Sequence, residues 1–530
     1  MRFPIAAMPL FYGVRAGKIG GMQKWAWPAL GVFVLACFWG FWWYGPFDLD
    51  EGLYAVALME MQERGDWVMP SYRGEPFWEK PILVFWTAWI ADLMGADGVV
   101  ALRLASILAT LGTLTLVGLF TKRIGAVMIL SVSVLFIGVG RMFIPDPLLI
   151  FGMTAALFSF WKTREDPRWH LAAGAALAIA VLAKGPVPLV IFALLGIYAR
   201  WRIGGWARAG CWRIGAIVLF LAAVLPWYIA AAQRSPEFVQ EFIIKQNFGR
   251  LTGEGDPMHA GQIWMYIPVV LVGLLPFSLS LIGTWRNREG QLEQYLWAYV
   301  WIVFVLFSFS GTKLPHYILP IFPALAVLVD RYLDKTKERI RWEYPILMLA
   351  LAISLFVYGL LLDDDGSVLV GAVKMAYYTC MLGWLGSVAL CFFKKGSPQL
   401  QGFAASAPVA FVTLLLAPFL YWGQTHADPT RAAILADSYG LPIVEYRTGG
   451  ERESGKTSHP SIQWWIRKTT LTAENLTDLR SLVKRERAIV VITRDGRYRT
   501  DEQGTALAVG LVTPIEAFGK WDVLRIDAPP

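Results

Sequence analysis

The sequence predicts a polytopic α-helical membrane protein with about thirteen transmembrane helices and a small C-terminal α/β domain outside the membrane. Three observations favour this fold class. Hydrophobic residues make up 56% of the 530 residues and charged residues 17%, against about 25% charged residues in soluble domains. Long apolar runs recur up to residue 423, and many of the 25 tryptophans lie near their ends, as membrane interfaces favour. From residue 424 onward the composition changes to short β-like runs and polar segments.

The apolar runs predict spans close to the ~20 residues that a helix needs to cross a bilayer. They cover residues 26–45, 99–121, 125–143, 147–162, 169–184, 186–200, 213–232, 262–285, 291–310, 314–333, 344–362, 371–393 and 403–422. We interpret the further run 80–95, "KPILVFWTAWIADLMG", as a re-entrant or surface-lying helix, because alternate loops then carry the lysines and arginines. This topology puts the N-terminus in the cytoplasm and the C-terminus outside.

Three segments follow from this topology. Residues 1–25 form a cytoplasmic tail, residues 26–423 a transmembrane domain with large outer loops at 46–98 and 233–261, and residues 424–530 the outer domain. In the outer domain, "PIVEY", "SIQWWI", "ERAIVVITR" and "WDVLRI" predict strands, and "TAENLTDLRSLVKRE" predicts a helix with Thr472 as a cap. The net charge of +8 comes from basic residues between apolar runs, which indicates membrane topology rather than nucleic-acid binding. The four scattered cysteines suggest neither a disulfide framework nor a metal site.

Ionisable residues collect on the outer side, where charges at membrane depth usually line a cavity. They are Asp48, Asp50, Glu51, Glu79, Lys80, Arg141, Asp146, Lys184, Arg250, His259, Lys313 and His316. Lys80, in the rigid segment "PFWEKP" at the start of an interfacial helix, is suited to meet a lipid phosphate. Each residue also has a simpler interpretation.

These simpler interpretations are ordinary features of membrane proteins. Lys80 could be a snorkelling lysine, and Asp146, in "IPDP", could be a turn aspartate. Lys184 could be a cation at a helix C-terminus and Tyr317 an interfacial anchor, while Asp48 is interpreted as loop solvation.

The order of motifs resembles a known family. The motifs are "DE..YA" after the first span, "GDW..P...G.P..EKP", an Arg followed by "PDPLL", "KGP", "LPWY" and "KLP.Y..P..P". This pattern is similar to the aminoarabinose transferase group of the protein mannosyltransferase-like superfamily, which are inverting GT-C glycosyltransferases with polyprenyl-phosphate sugar donors. The resemblance covers roughly residues 26–330, and "GDWVMPSYRGEPFWEKP" is its most specific part.

The resemblance implies a role for each matching residue. Asp50 would be the catalytic carboxylate, supported by Glu51, and Lys80 would hold the donor phosphate, oriented by Glu79 and Asp146. The remaining implied residues of the donor cavity are Tyr54, Arg141, Lys313 and Tyr317. A divalent metal ion is also implied, with Glu79 and His259 as ligands, and no cofactor beyond this ion. The implied location is the bacterial inner membrane, with the active site on the periplasmic side.

Two departures and one alternative function remain at this point. Leu53 stands where the family often has arginine, and "EKPI" replaces "EKPP". The acceptor is therefore left open between lipid A, a glycan and a protein. A polyprenyl-linked sugar flippase or another secondary transporter would also have many spans, but such transporters carry internal repeats and midplane charges. Here the charges lie at the outer face, which favours the transferase.

Overall fold

The structure of the chain is a computed structural model. It describes residues 21–48, 50–203, 214–249, 261–336, 342–361, 368–392, 397–425, 427–446, 460–467, 470–473, 476–494, 511–518 and 521–528.

From Gly21 to Arg234 the described chain is mainly helical, with one short antiparallel hairpin. Its elements are α1 (Gly21–Phe38), α2 (Asp50–Arg64), β1 (Ser71–Tyr72), β2 (Glu75–Pro76), α3 (Leu83–Leu93), α4 (Gly98–Thr121), α5 (Ile124–Ser131), α6 (Val134–Val139), α7 (Asp146–Lys162), α8 (Trp169–Lys184), α9 (Val187–Arg202) and α10 (Ile214–Arg234). Helices occupy the predicted spans, with two differences. α1 ends at Phe38 instead of residue 45, and the predicted span 125–143 is broken into α5 and α6, where Ser133 caps α6.

The second half of the membrane part contains more irregular helices. Its elements are a π-helix (Val239–Gly249), α11 (Tyr266–Gly273), a 3₁₀ helix (Phe277–Ser280) continuing into α12 (Leu281–Arg286), α13 (Gln291–Phe309), a 3₁₀ helix (Pro315–Ile321) continuing into α14 (Phe322–Lys335), α15 (Glu343–Leu361), α16 (Val368–Phe392) and α17 (Pro398–Thr425). The predicted span 262–285 is a bent pair of helices rather than one straight helix, with an angle of 109° at the break.

Several described helices are long and apolar enough to cross a bilayer. Four helices are long and apolar enough by themselves, and the bent pair makes a fifth if its two helices form one span. The four are Gly98–Thr121, Ile214–Arg234, Gln291–Phe309 and Pro315–Lys335. The protein is therefore a multi-pass helical membrane protein.

Helix α3 lies within the segment interpreted as not crossing the membrane. It has 11 residues, which at 1.5 Å per residue gives about 16 Å, roughly half the ~30 Å hydrocarbon thickness. Val84, Phe85 and Ala88 of α3 are fully buried against the protein. This length fits a re-entrant or surface-lying helix.

Close packing of α7 against α8 brings two charged helix ends together. A Cβ added to Gly152 would lie 2.8 Å from the Ala180 nitrogen and 2.9 Å from the Ala176 oxygen. Small residues let two backbones approach closely, as in other membrane helix pairs. Asp146 begins α7 and Lys184 ends α8, so the close contact leaves these two side chains at the same end of the pair.

After α17, the chain forms a five-stranded mixed sheet. The elements are α18 (Ala427–Ser438), β3 (Ile443–Tyr446), α19 (Pro460–Ile466), β4 (Leu471–Ala473), α20 (Leu476–Glu486), β5 (Ala488–Arg494), β6 (Leu511–Phe518) and β7 (Trp521–Asp527). The strand order is β4-β3-β5-β7-β6, with β3 parallel to β4 and β5, and β7 antiparallel to β5 and β6. Side chains alternate along β5, so that Val491 packs towards α20 and Val490 towards α18.

Two predictions for this region are wrong. The segment "SIQWWI" is the helix α19 rather than a strand, and it packs along α2. Pro460 occupies its first position, where proline suits a helix because the missing N–H has no partner in the first turn. Thr472 lies in β4 and pairs with Glu445 in the sheet, so it does not cap the helix that begins at Leu476.

Candidate active site

A cavity with a charged mouth and an apolar body lies between the segment that carries Glu79 and Lys80 and helices α7, α8, α9 and α13. Its charged and polar lining residues are Glu79, Lys80, Lys184, Gln246, Ser310, Thr312 and Tyr317. Its apolar lining residues are Leu149, Met153, Val187, Pro188, Ile191, Phe242, Leu306 and Phe307. The same cavity thus presents both cationic side chains and an apolar wall, which suits a molecule with an anionic head and a hydrocarbon chain.

Lys80 reaches the cavity from a turn that is fixed on both sides. The side chain is buried, with 7% of the residue exposed, and Pro81 follows it directly. Trp78, two residues earlier, packs edge-on against Phe238 at 4.8 Å between ring centroids and donates from Nε1 to Ser235 Oγ at 3.3 Å. The turn is therefore held against the segment that joins α10 to the π-helix.

Asp146 does not line the cavity itself but forms an ion pair with Lys184, which does. Its Oδ1 lies 2.5 Å from Lys184 Nζ, and its Oδ2 lies 3.7 Å from His316 Nε2. Lys184 Nζ also lies 3.8 Å from the ring centroid of Tyr317, a distance at which a cation is attracted by the ring. The carboxylate, ammonium, imidazole and phenol thus make one connected cluster at the ends of α7 and α8.

Asp50 begins α2, and its side chain is exposed. It does not belong to the cavity lining named above, yet it lies within electrostatic range of Tyr54 and His316. His316 also interacts electrostatically with Lys80 and Asp146, so Asp50 lies in the same charged region as these two residues. Because Asp50 is exposed, a group that approaches from the protein surface could reach it without entering the cavity.

Tyr54 lies one helical turn after Asp50 and is buried. Aromatic rings surround it, with centroid distances of 6.0 Å to Phe77, 6.2 Å to Phe85 and 6.5 Å to Phe143. Burial, reinforced by the negative charges of Asp50 and Glu79, raises the pKa of the Tyr54 phenol well above its usual range. The phenol stays protonated at neutral pH and keeps a hydrogen-bond donor beside the carboxylates.

Glu51, the neighbour of Asp50, is completely buried and holds three segments together. Its carboxylate accepts hydrogen bonds from Nε and Nη2 of Arg103 at 2.8 and 2.7 Å. It also accepts the backbone N–H of Phe143 at 2.5 Å and that of Phe47 at 3.0 Å. Glu51 thereby attaches the start of α2 to α4 and to the turn before Asp146. These bonds position the first turn of α2.

Two other predicted cavity residues are bonded elsewhere. Arg141 is buried and donates to the carbonyl oxygens of Cys37, Trp39 and Leu414, so it ties the end of α1 to α17. Arg141 is not among the residues that line this cavity, and its predicted place in the donor cavity stays a prediction. Lys313 donates to Gly261 O at 2.9 Å and to Ser310 O at 2.5 Å, directly behind the cavity residue Ser310.

The metal prediction concerns Glu79 and His259. His259 lies outside the described residues, whereas Glu79 lines the mouth of the cavity. Within the described part of the chain no group of three or more His, Cys, Asp or Glu side chains is arranged to hold a metal ion. One carboxylate does not define a metal site, so we assign no step to a metal.

Three residues of this region received no role in the chemistry from the sequence. Arg103 is a single charge inside the apolar run 99–121, and a charge at membrane depth is itself a functional signal. Lys184 was placed on the outer side but given no role, although "KGP" belongs to the family pattern. His316 precedes Tyr317 in "KLPHY", and its contact with Asp146 depends on tertiary structure that no local pattern reports.

Comparison with known proteins points to the same group as the motifs. Residues 22–242, less than half of the chain, match the family described as dolichyl-phosphate-mannose-protein mannosyltransferase. The undecaprenyl phosphate-alpha-4-amino-4-deoxy-L-arabinose arabinosyl transferase of Edwardsiella ictaluri (strain 93-146) is 32% identical over 308 residues, which cover 54% of this chain and 55% of that protein. The protein of the same name from Yersinia pestis (strain Pestoides F) is 31% identical over 315 residues, or 55% and 56% of the two chains. The chain thus spans about half the length of the curated relatives it matches.

Solved structures share the fold over almost the whole chain. The crystal structure of ArnT from Cupriavidus metallidurans bound to undecaprenyl phosphate has a TM-score of 0.78 and 20% identity, and covers 96% of this chain and 99% of that chain. The apo structure of the same protein gives a TM-score of 0.78 and 19% identity. The fold is thus that of a polytopic membrane protein of the ArnT type. The predicted resemblance to the aminoarabinose transferase group is confirmed.

Proposed function

We propose that the protein is an inverting glycosyltransferase that moves a sugar from an undecaprenyl-phosphate donor to an acceptor at the outer face of the bacterial inner membrane. The observation that carries this proposal is the cavity that joins Lys80 and Lys184 to an apolar wall. A polyprenyl phosphate has a matching anionic head and hydrocarbon chain. The names of the curated relatives, and the undecaprenyl phosphate bound to ArnT, support the same donor class.

The donor phosphate is assigned to the mouth of the cavity. Lys80 neutralises it as a point charge, and Glu79 and Asp146 keep the lysine and its neighbours oriented. Lys184 lies between Asp146 and the ring of Tyr317, so its ammonium is held in place before the donor arrives. Lys313 fixes the backbone behind Ser310, and the apolar residues of α7, α9 and α13 take the first isoprene units.

Asp50 is assigned the role of general base. An acceptor hydroxyl oxygen attacks the anomeric carbon while the bond from that carbon to the phosphate oxygen breaks, and its electron pair leaves with undecaprenyl phosphate. Asp50 takes the hydroxyl proton, and Lys80 stabilises the charge that grows on the leaving phosphate. If the acceptor is itself a phosphate, no strong base is needed, and Asp50 then positions the acceptor. Glu51 supports Asp50 through the buried bonds to Arg103 and Phe143.

The proposed topology has thirteen spans across residues 26–423, a cytoplasmic segment 1–25 and an extracytoplasmic domain 424–530. The outer loops are 46–98 and 233–261, and the active site faces the periplasm. The positive-inside bias supports this arrangement, as does the short length of α3. The contact of α19 with α2 also supports placing the C-terminal sheet on the same side as Asp50.

The acceptor is proposed as a class: lipid A, a glycan or a protein. Leu53 is buried on α2, two residues before the end of the "DEGLYA" motif. A leucine cannot supply the charge that an arginine would bring to this helix. We therefore expect the preference for donor or acceptor to differ from that of the curated relatives.

An activity assay tests the proposal. Full-length protein in nanodiscs is incubated with synthetic undecaprenyl-phosphate sugars, including 4-amino-4-deoxy-L-arabinose, and with lipid A, surface glycan or periplasmic protein. Mass spectrometry then measures the sugar on the acceptor and the undecaprenyl phosphate released. We expect both products in equal amounts. Movement of intact donor across the bilayer without release of undecaprenyl phosphate would support a flippase and contradict the proposal.

The variant Asp50→Asn tests the role of the carboxylate in the same assay. Loss of the base should lower kcat by about 10²–10⁴-fold for a hydroxyl acceptor, with undecaprenyl phosphate binding retained. The matched control is Asp92→Asn, because Asp92 is an exposed carboxylate on α3 that accepts a hydrogen bond from Gln62 at 3.0 Å. Turnover by Asp50→Asn at the wild-type rate would remove Asp50 from the mechanism.

A further inference from the structure

The contact between α19 and the start of α2 has no part in the site described so far. Asp48 Oδ1 accepts the backbone N–H of Ser461 at 2.9 Å, and Oδ2 accepts the Ser461 hydroxyl at 2.6 Å. Asp48 lies two residues before Asp50, and its interpretation from the sequence was loop solvation. Both oxygens of the carboxylate are instead bonded to a residue more than 400 positions away in the chain.

The apolar packing around this contact joins α19 to the membrane part. Trp464 is 5% exposed and belongs to the main core of the transmembrane helices rather than to either core of the C-terminal sheet. Its ring lies next to Gly98 at the start of α4, since a Cβ at Gly98 would be 4.0 Å away. The contact is thus a buried interface and not a meeting of two surface side chains.

The same helix is bonded to the C-terminal sheet. Gln463 Nε2 donates to Thr470 Oγ1 at 2.8 Å, and the Thr470 hydroxyl donates to Glu445 Oε1 on β3 at 2.5 Å. All three residues are buried. Hydrogen bonds therefore lead from the sheet through α19 to Asp48, two residues before the start of α2.

We infer that the C-terminal domain positions the start of α2, and the Asp50 carboxylate with it, through the pair formed by Asp48 and Ser461. Glu51 fixes this turn from the membrane side, through Arg103 and Phe143, and Asp48 fixes it from the outer side. Asp50, between them in sequence, keeps an exposed side chain. Asp48 and Ser461 are thus positioning residues, and this inference rests on the proposed function.

Displacing a catalytic group by about 1 Å can cost up to two orders of magnitude in rate, so loss of the outer attachment should affect turnover. The cavity assigned to the donor phosphate is lined by Lys80 and by residues of α7 and α8, and its lining contains neither Asp48 nor Ser461. The expected signature is consequently a fall in kcat with little change in the KM for the donor.

The test uses Asp48→Ala, Ser461→Ala and the double variant of the full-length protein, with a donor that supports turnover in the assay above. We expect each single variant to lower kcat by about 10-fold, with KM for the donor within twofold of wild type. The double variant should be no slower than the slower single variant, because both changes remove the same interaction. Ser461→Thr, which keeps the hydroxyl, should restore most of the activity.

Two matched controls come from exposed sites on the same side. Ser481→Ala removes an exposed hydroxyl on α20 whose hydrogen bond is to Asp478 O, and Asp92→Asn alters an exposed carboxylate on α3. Both should keep wild-type kcat. If Asp48→Ala fails to give a monodisperse protein on size exclusion, Ser461→Ala, which keeps the backbone donor, carries the test.

Wild-type kcat in Ser461→Ala and in any folded Asp48→Ala, or effects that add in the double variant, would overturn the inference. So would a rise in KM without a fall in kcat. These outcomes are distinct from failure of the proposed function, in which the wild-type protein itself releases no undecaprenyl phosphate from any donor.

Discussion

At the scale of single residues, the adjacent carboxylates Asp50 and Glu51 have opposite environments. Successive side chains on a helix point about 100° apart, so one can face the surface while the other enters the core. Asp50 is exposed, whereas Glu51 is bonded to Arg103 and to two backbone N–H groups. The motif "DE" therefore combines one carboxylate available for chemistry with one that fixes its position.

We predict that Arg103→Ala destabilises the protein and lowers its activity. Removing one partner of a buried ion pair leaves the other charge without compensation, at a cost of about 3–5 kcal/mol. Arg103 also donates to the carbonyls of Phe41, Tyr44 and Gly45, so the connection from α1 to α2 loses its support as well. Thermal unfolding in nanodiscs, together with kcat in the release assay, measures both effects.

The control for this variant is Lys162→Ala. Lys162 forms an ion pair with Glu165 at 2.7 Å, but the two side chains are 30% and 62% exposed. Exposed pairs contribute about 0–1 kcal/mol, so the unfolding midpoint should hardly move. An equal shift of the unfolding midpoint in Arg103→Ala and Lys162→Ala would show that the buried Glu51–Arg103 pair stabilises the protein no more than an exposed pair does.

Whether the position of a single residue can be predicted from the sequence depends on whether its bonding partners are close to it along the chain. The placements of Lys80, Glu79 and Tyr317 at one cavity agree with the motifs, which carry the family pattern. Arg141 also belongs to a motif, but its bonds to Cys37, Trp39 and Leu414 come from α1 and α17. A sequence shows that a charge is buried and expensive, yet it does not show which distant carbonyls accept its hydrogen bonds.

At the scale of elements, the sequence predicts where apolar helices lie better than where they break. Hydropathy reports which residues tolerate lipid, and the runs 99–121 and 169–184 coincide with α4 and α8. The breaks after Ser131 and after Gly273 fall inside continuous apolar runs, so hydropathy gives no signal for them. Packing of neighbouring helices decides the backbone there.

Helix α19 shows the limit for short segments. "SIQWWI" is brief and apolar, and periodicity alone does not distinguish a strand from one or two turns of helix in such a run. The helical conformation buries Ser461, Gln463 and Trp464 against α2 and the sheet. Tertiary contacts with both partners therefore outweigh the β propensity of its tryptophans and isoleucines.

At the scale of the whole molecule, the topology predicts which ends of the structure face the periplasm. Single cysteines introduced by Ser481→Cys on α20 and Glu165→Cys after α7 test it, in a chain whose native cysteines are replaced. Both sites are exposed, so labelling depends on membrane sidedness rather than burial. We expect a membrane-impermeant maleimide to label residue 481 in intact spheroplasts and residue 165 after permeabilisation. Labelling in the opposite pattern would contradict the topology.

The central claim is that the cavity at Lys80 binds a polyprenyl phosphate, and equilibrium binding of undecaprenyl phosphate to the purified protein tests it most directly. Wild-type protein and Lys162→Ala should bind it saturably with the same Kd, because Lys162 lies at the opposite end of α7 from the cavity mouth. Lys80→Ala should raise the Kd by about 10–100-fold, as expected for loss of a hydrogen bond to a charged group. An unchanged Kd in Lys80→Ala, or an equal loss in both variants, would contradict the account.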